Sequence, residues 1–489
     1  MLKIHKVDEV YLKIDCEPAI AKELSGFFTF KVPNHQFTPA YKKKRWDGTI
    51  KLFNLASQTI YVGLIDYIVK FCEDRMYKYE ITGIELEKIS EEKVRQWLLT
   101  QKIYSNGKEI IPHAHQIDGV VHALTKNRSL LLSPTGSGKS LIIYLILRFL
   151  LEHYKDSKHL VIVPTTGLVT QMAGDFADYC NRDKNILREI HTIFQGKSKE
   201  ANRRIIISTW QSIYKESDSF FKNFYGVFGD EVHLYKAKSL SSMMKKCKFS
   251  TFRTGTTGTL DNTQAHKLMI EGLFGRCFSV TTTKNLMDDK ILSSLTINSI
   301  LLNYDIKDYQ EIKKCSYQSE IEWIILNKKR NDFICNLANS LEGNVLVLFN
   351  YVEKHGIPLF NQLNEMNKKD VFMIYGKTDI EQRELIRNIV DKHSNSLLVA
   401  SYGTCSTGIN IKNINAIIFA SPSKSVVRIL QSIGRGLRKS DRKDKAVVFD
   451  IGDNLSWKSY RNHTLRHMDE RIELYNKEKF TYSIKNIRL

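Results

Sequence analysis

Short apolar runs recur along the chain, separated by stretches with helical spacing. Between about 110 and 285 they are 129–132 (SLLL), 160–163 (LVIV), 204–207 (RIII) and 225–228 (YGVF). After about 340 the pattern returns as 344–349 (NVLVLF), 371–374 (VFMI), 396–400 (SLLVA), 416–419 (AIIF) and 446–449 (AVVF). Runs this short and nearly all apolar lack the alternation of a half-exposed strand. They predict parallel strands buried on both faces. Strands spaced by helical segments predict two α/β units in tandem, here 109–288 and 289–455. Residues 1–108 read differently, as the mixed strands and helices of a small α+β domain. Residues 456–489 are polar and aromatic and are set apart as a C-terminal extension.

Length agrees, since 489 residues at roughly 150 per domain suggest about three domains. The longest apolar run, 141–147, has seven residues, far short of the ~20 that cross a bilayer. The start, MLKIHKVD, has no apolar h-region, so a cytoplasmic rather than a secreted protein is expected. Lys and Arg (73) exceed Asp and Glu (53) by 20, which points to a polyanionic partner. The eight cysteines stand singly with no Cys-x-x-Cys pair, so neither a zinc site nor a disulfide framework is expected.

One segment carries phosphate chemistry. Residues 133–140 (SPTGSGKS) follow a predicted strand and open a predicted helix at 141–151, which is the setting of a P-loop. Gly136 and Gly138 let the backbone N–H groups of Pro134-Thr135-Gly136-Ser137-Gly138 curl around an anion, Pro134 itself having none. The helix N-terminus adds unsatisfied donors. Lys139 reaches the β- and γ-phosphates of ATP, and the Ser140 hydroxyl can ligate Mg²⁺. The strict pattern begins with Gly, and Ser133 stands there.

Hydrolysis needs a carboxylate for Mg²⁺ and a base for water. Asp230-Glu231-Val232-His233 supplies both directly after a strand, with Asp230 as the metal partner and Glu231 as the base. The second half adds Gln431-Ser-Ile-Gly-Arg435-Gly-Leu-Arg438, read as a helix with Arg435 and Arg438 on one face. Arginines aimed at a γ-phosphate stabilise the transition-state charge. In the first domain, Tyr41-Lys42-Lys43-Lys44-Arg45-Trp46 mixes four cations with two aromatics, a composition suited to a nucleic-acid backbone. Trp46-Asp-Gly48 predicts a turn into a strand at 49–53, with Trp46 in the core.

The ordered set resembles the superfamily 2 helicases and translocases. Residues 133–140 look like motif I, 163–166 (VPTT) motif Ia, 208–211 (STWQ) motif Ib and 230–233 a DExH-type motif II. Residues 257–259 (TGT) look like motif III, although the Thr-rich run around them also reads as a loop. Residues 345–349, 401–410 and 431–438 look like motifs IV, V and VI. The resemblance narrows to the UvsW helicase family of T-even-type bacteriophages. It is carried by 37–39 (FTP), 46–48 (WDG), 164–166 with 170–172 (TQM), 400–403 (ASYG) with 406–408, and 478–482 (EKFTY).

That resemblance implies two tandem RecA-like domains, parallel sheets with helices on both faces, after the small N-terminal domain. It implies a monomeric, nucleic-acid-stimulated ATPase using ATP and Mg²⁺ on forks, four-way junctions and RNA–DNA hybrids. The implied setting is phage recombination, repair and recombination-dependent replication in the host cytoplasm, with single-strand-binding and recombination proteins as candidate partners. Gln431, Arg435 and Arg438 join Lys139, Ser140, Asp230 and Glu231 as the ATPase set, Gly408 lies near the γ-phosphate, and Gln116 upstream reads adenine. Thr165, Thr166, Thr209, Gln211, Thr404 and Thr407 contact the nucleic-acid backbone, and Thr257 and Thr259 couple hydrolysis to movement. Gln116 follows His113-Ala-His115 rather than the family's usual flank, which loosens the expected preference for ATP. The pairing of His233 with Gln431 favours a duplex translocase over a DEAD-box RNA protein. The residues alone leave open an RNA-remodelling ATPase, the motor subunit of a restriction complex, and an ATP-gated annealing clamp that does not unwind.

Overall fold

A computed structural model describes residues 1–33, 35–84, 89–194, 202–236, 238–260, 263–313, 315–408, 411, 413–422, 434, 445–456 and 460–489. These divide into two compact units. The first holds Met1–Ser133 and Ser137–Thr281, the second Pro134–Gly136 and Thr282–Leu489.

The first unit begins with six short strands: β1 (Leu2–Lys6), β2 (Tyr11–Asp15), β3 (Thr29–Lys31), β4 (Thr49–Lys51), β5 (Thr59–Tyr61) and β6 (Tyr79–Thr82). Four form a mixed sheet in the order β5-β2-β1-β6, and β3 and β4 form a separate hairpin. Helices Pro18–Phe27 and Ile65–Asp74 bury Leu24, Ile68 and Phe71 beneath them. This core continues into one face of the following α/β layer. Val62-Gly63-Leu64 packs on helix Gln264–Phe274 so closely that a Cβ on Gly63 would strike the Glu271 carbonyl. Tyr67 donates to Glu271 Oε2 at 2.8 Å, and Arg128 pairs with Glu9.

A small hairpin, β7 (Ile103–Ser105) and β8 (Lys108–Ile110), leads into the first large sheet. The large sheet comprises β9 (Arg128–Leu132), β10 (His159–Val163), β11 (Ile190–Ile193), β12 (Ile205–Thr209), β13 (Gly226–Asp230), β14 (Phe252–Thr257) and β15 (Cys277–Ser279). Their order is β11-β12-β10-β13-β14-β9-β15, every pair parallel. Alternate residues serve opposite faces: Leu160 and Ile162 join one apolar cluster, Val161 and Val163 another. That double burial is why the run shows no polar alternation. Ile89, Val94, Leu98 and Ile103 belong to the second cluster, so the packing of this layer begins before residue 109.

The second unit repeats the plan with β16 (Ser294–Asn303), β17 (Val345–Phe349), β18 (Asp370–Ile374), β19 (Ser396–Ser401), β20 (Ala416–Phe419), β21 (Lys445–Asn454) and β22 (Thr481–Arg488). The order is β18-β19-β17-β20-β21-β16-β22, again all parallel. Leu346 and Leu348 face one cluster while Val345, Val347 and Phe349 face the other. The segment set apart in sequence as an extension supplies helix His463–Lys477 and β22, whose residues pair in register with β16. It is therefore the edge strand of this sheet. Among the described residues no helix is long and apolar enough to cross a membrane.

Residues 252–257 of the Thr-rich run that also read as a loop (251–263) form β14, an interior strand of the sheet. It escaped the apolar pattern because Arg253, Thr254, Thr256 and Thr257 are all buried there, Arg253, Thr256 and Thr257 with polar partners. Arg253 donates to the carbonyls of Ser250 (3.2 Å), Leu273 (3.3 Å) and Cys247. Burial pulls its pKa down to about 9.

Candidate active site

Because the strands of the first sheet are parallel, their carboxyl ends share one edge, where open α/β sheets bind ligands. β9 ends at Leu132 and runs into the glycine-rich segment, and β13 ends on Asp230. β14 lies between them, pairing with both, and ends on Thr257. β10 and β12 end on Val163 and Thr209, which stand opposite each other in register.

The glycine-rich segment is held from below. Gly136 and Gly138 have φ of +87° and +84°, a backbone that other residues adopt only under strain. A Cβ on Gly138 would also run into the Gln116 amide. Gln116 donates from Nε2 to the Ser137 carbonyl at 2.9 Å and accepts from the His113 N–H at 2.9 Å. The residue expected to read adenine is here buried as a brace under the loop. Ser133, in place of the usual glycine, shares a 2.5 Å hydrogen bond between its Oγ and Ser137 Oγ. Its N–H donates to the Thr257 carbonyl at 2.8 Å. Pro134 and Thr135 are half-buried at the turn. Helix Lys139–His153 follows, with Lys139 at its first position.

Lys139 Nζ lies 3.3 Å from the Ser133 carbonyl and 3.6 Å from Glu231 Oε1, so the P-loop cation already faces the expected base. Asp230 is buried, and Thr256 donates to its Oδ1 at 2.7 Å. Burial raises the pKa of this carboxyl, and the charge of Glu231 adds to the rise, against Lys139 and the Thr256 hydrogen bond. Glu231 has φ of +50°. A non-glycine residue there costs on the order of 1–2 kcal/mol, the kind of strain that collects at functional sites. His233 Nδ1 sits 3.3 Å from Glu231 Oε2 and 3.0 Å from Thr257 Oγ1. Thr257 spends its own proton on the Thr259 carbonyl at 2.8 Å. Its oxygen therefore accepts from His233, which assigns the ring proton to Nδ1. Lys139, Glu231, His233, Thr257 and Thr259 form one continuous chain of polar contacts.

The donor set suits magnesium. Ser140 Oγ and the Asp230 carboxylate are hard oxygens, and no group of three or more His, Cys, Asp or Glu among the described residues forms a closed metal cage. Mg²⁺ commonly arrives on phosphates and takes one or two protein oxygens. Ser140 Oγ is 2.9 Å from the Tyr179 hydroxyl. No sequence pattern picked out Tyr179, or Thr256 as the residue that fixes Asp230.

The residues expected on the nucleic-acid backbone fall into three groups. Thr165 caps helix Thr166–Tyr179 through Leu168 N–H at 3.4 Å, with Thr166 beside it, half-exposed. Gln211 is exposed and reaches the Pro164 carbonyl at 3.4 Å, joining the ends of β10 and β12. Thr209 is buried, and its hydroxyl is 2.9 Å from Ser212 Oγ. In the second unit Thr404 is buried, its hydroxyl 2.8 Å from Ser401 Oγ. Thr407 and Gly408 close helix Tyr402–Gly408, and the Thr407 side chain lies outside the described residues. So do Gln431, Arg435 and Arg438.

The third group is in the N-terminal domain. Lys42, Lys43, Lys44 and Arg45 are all exposed, and among the described residues none has an acidic partner at ion-pair distance. Lys42, Lys44 and Arg45 line an open cleft of ≈ 900 Å³ with Gln36, Tyr41, Trp46 and Lys51. Trp46 was expected in the core. It is half-buried instead, because its Nε1 donates to the Thr49 carbonyl at 2.7 Å and leaves the ring along the cleft.

Residues 1–82 match the family described as "DNA helicase UvsW, N-terminal". Residues 84–262 match "Type III restriction enzyme, res subunit", and residues 328–440 match "Helicase conserved C-terminal domain". The chain is 36% identical to the ATP-dependent DNA helicase uvsW of Enterobacteria phage T4 over an alignment of 508 residues that covers 100% of both. It is 24% identical to a putative ATP-dependent RNA helicase of Acanthamoeba polyphaga mimivirus, over 70% of this chain and 64% of that one. The crystal structure of T4 UvsW matches 100% of this chain and 99% of its own, with 34% identity and a TM-score of 0.53.

Proposed function

The chain belongs to the family of the phage T4 DNA helicase UvsW, and from that membership we propose a motor that remodels branched nucleic acids: it migrates junctions and unwinds forks and RNA–DNA hybrids. The broader activity is that of an ATP-dependent DNA helicase with nucleic-acid-stimulated ATPase activity. The observation that carries the chemistry is Lys139 facing Glu231 across 3.6 Å at the carboxyl edge of one sheet.

Backbone N–H groups of the glycine-rich turn and Lys139 hold the phosphates. Phosphates compete for the Lys139 ammonium and free Glu231, which orients water and takes its proton. Ser140 and Asp230 would hold Mg²⁺, which neutralises phosphate charge when bound. Arg435 and Arg438 supply the cations for the transition state, Gln431 joins them in the ATPase set, and Gly408 senses the γ-phosphate. Thr257 and Thr259 pass the state of Glu231 on to movement. Thr165, Thr166, Gln211, Thr209, Thr404 and Thr407 hold the backbone of one strand, and the cleft at Lys42–Arg45 holds the substrate's flank. Phosphate contacts of this kind position a strand without reading its sequence.

The test is the ATPase rate against forks, four-way junctions, RNA–DNA hybrids, plain duplex and single-stranded RNA, with strand displacement followed in parallel. Branched DNA is expected to stimulate most, and displacement to require hydrolysable ATP. Stronger stimulation by single-stranded RNA, or displacement with a non-hydrolysable analogue, would overturn the reading.

A further inference from the structure

Tyr179 is the last residue of helix Thr166–Tyr179, and its hydroxyl lies 2.9 Å from Ser140 Oγ, next to the P-loop lysine. The phenol is half-buried against an apolar cluster of the first unit. Its ring packs on Tyr144 at 5.4 Å, and Tyr144 packs on Phe176 of the same helix at 5.5 Å. The preceding residue, Asp178, accepts the Asn106 N–H at 2.9 and 3.0 Å, anchoring the helix end to the small hairpin.

A serine hydroxyl has one proton and two lone pairs. Ligating a cation uses a lone pair and needs the proton turned elsewhere. The Tyr179 oxygen stands where it can take that proton. A ring locked by packing keeps the acceptor in place before any ligand arrives, which is how a supporting residue lowers the ordering cost of a site.

We propose that Tyr179 is a positioning residue for magnesium–nucleotide, accepting the Ser140 proton and turning the Ser140 oxygen toward the cation. It touches neither nucleotide nor ion and acts through Ser140. The inference rests on the reading of 133–140 as the nucleotide site.

Tyr179→Phe removes the hydroxyl and keeps the ring. Binding of a fluorescent ADP analogue is measured in Mg²⁺ and in excess EDTA. In Mg²⁺ the variant is expected to bind roughly 3- to 10-fold more weakly, the loss of one orienting hydrogen bond. In EDTA it should match wild type. Ser140→Ala should lose at least as much Mg²⁺-dependent binding, and Tyr179→Phe added to it should change nothing further. Unchanged binding in Mg²⁺, equal weakening in EDTA, or additive loss in the double variant would each overturn the proposal. Failure of the wild-type protein to bind in either buffer would instead overturn the nucleotide-site reading beneath it.

Discussion

Replacing Lys42 and Arg45 by Ala and Lys44 by Gly should flatten the salt dependence of DNA binding. Gly is the choice at 44 because that residue has φ of +52°, where a Cβ is strained. The three side chains line one cleft and are exposed, so their removal leaves the core untouched. Each phosphate neutralised contributes about 0.9 to the slope of log K against log salt on duplex and about 0.7 on a single strand. Three contacts therefore predict a slope smaller by about 2.7 on duplex or about 2.1 on a single strand. Between 50 and 200 mM salt the wild-type protein should lose about 40-fold more duplex affinity than the variant, or about 20-fold more on a single strand. Fluorescence anisotropy on a labelled fork and a labelled single strand, at four salt concentrations, measures both. Lys43 does not line the cleft, so Lys43→Ala should change the slope less than any of the three alone. Parallel slopes for the triple variant and wild type, with circular dichroism unchanged, would remove the cleft from the DNA path.

At the ATP site, Lys139→Ala should abolish turnover, while Glu231→Gln should lower it on the order of 10²–10⁴-fold and retain bound ATP in a filter assay. Wild-type-like turnover in Glu231→Gln would refute the base assignment. Arg438→Ala should bind nucleotide normally yet turn over on the order of 10³–10⁵-fold more slowly. Parallel loss of binding would move that arginine out of the transition-state role. In the second unit Arg330 and Asp453 form a fully buried pair at 2.7 Å, joined by the Tyr304 hydroxyl at 2.7 Å. Asp453→Ala should therefore cost about 3–5 kcal/mol in urea denaturation, because the guanidinium is left buried and unpaired. Finally, burial holds His159 and His355 down at about 3, reinforced by Arg204 and Arg330 respectively. Near neutral pH the folded chain keeps both neutral, whereas below about 6.5 the unfolded chain protonates them. Stability should then be full above that pH and fall, by at most about 2.7 kcal/mol per pH unit, as pH drops from 6.5 toward 3. A flat urea midpoint between pH 7 and 5 would contradict this.

The apolar strands were legible because burial on both faces leaves an unbroken run, as at 160–163 and 345–349. Strand β14 was not, because its burial is satisfied by polar partners: Arg253 on three carbonyls, Thr256 on Asp230, Thr257 between His233 and Thr259. A pattern that scores apolarity treats such a strand as a loop. β22 was hidden for the opposite reason. As an edge strand with mostly exposed side chains, it reads as polar tail, and only its register with β16 makes it part of the sheet. The P-loop and Asp230-Glu231 were legible because their chemistry is tied to consecutive residues. Tyr179 and Gln116 act on Ser140 and Ser137 from 39 and 21 residues away, and no spacing rule announces such contacts.

The polar character of β14 also explains where the chemistry sits. A strand between the phosphate loop and the acidic pair needs side chains that hold both, and two consecutive threonines do so on opposite sides of one backbone. Thr256 fixes Asp230 at the end of β13, while the Thr257 carbonyl receives the N–H of Ser133 and its hydroxyl receives His233. Glu231, in a left-handed backbone, projects out of that frame toward Lys139. A strained residue stays put only when its surroundings over-determine it, and here the strand before it, the lysine in front and the histidine behind all do. In the proposed mechanism a shift of Glu231 as phosphates claim Lys139 passes to His233, and through it to Thr257 and Thr259. The strain and the polar strand act together there, because the carboxylate proposed to orient water is tied through His233 to the end of β14.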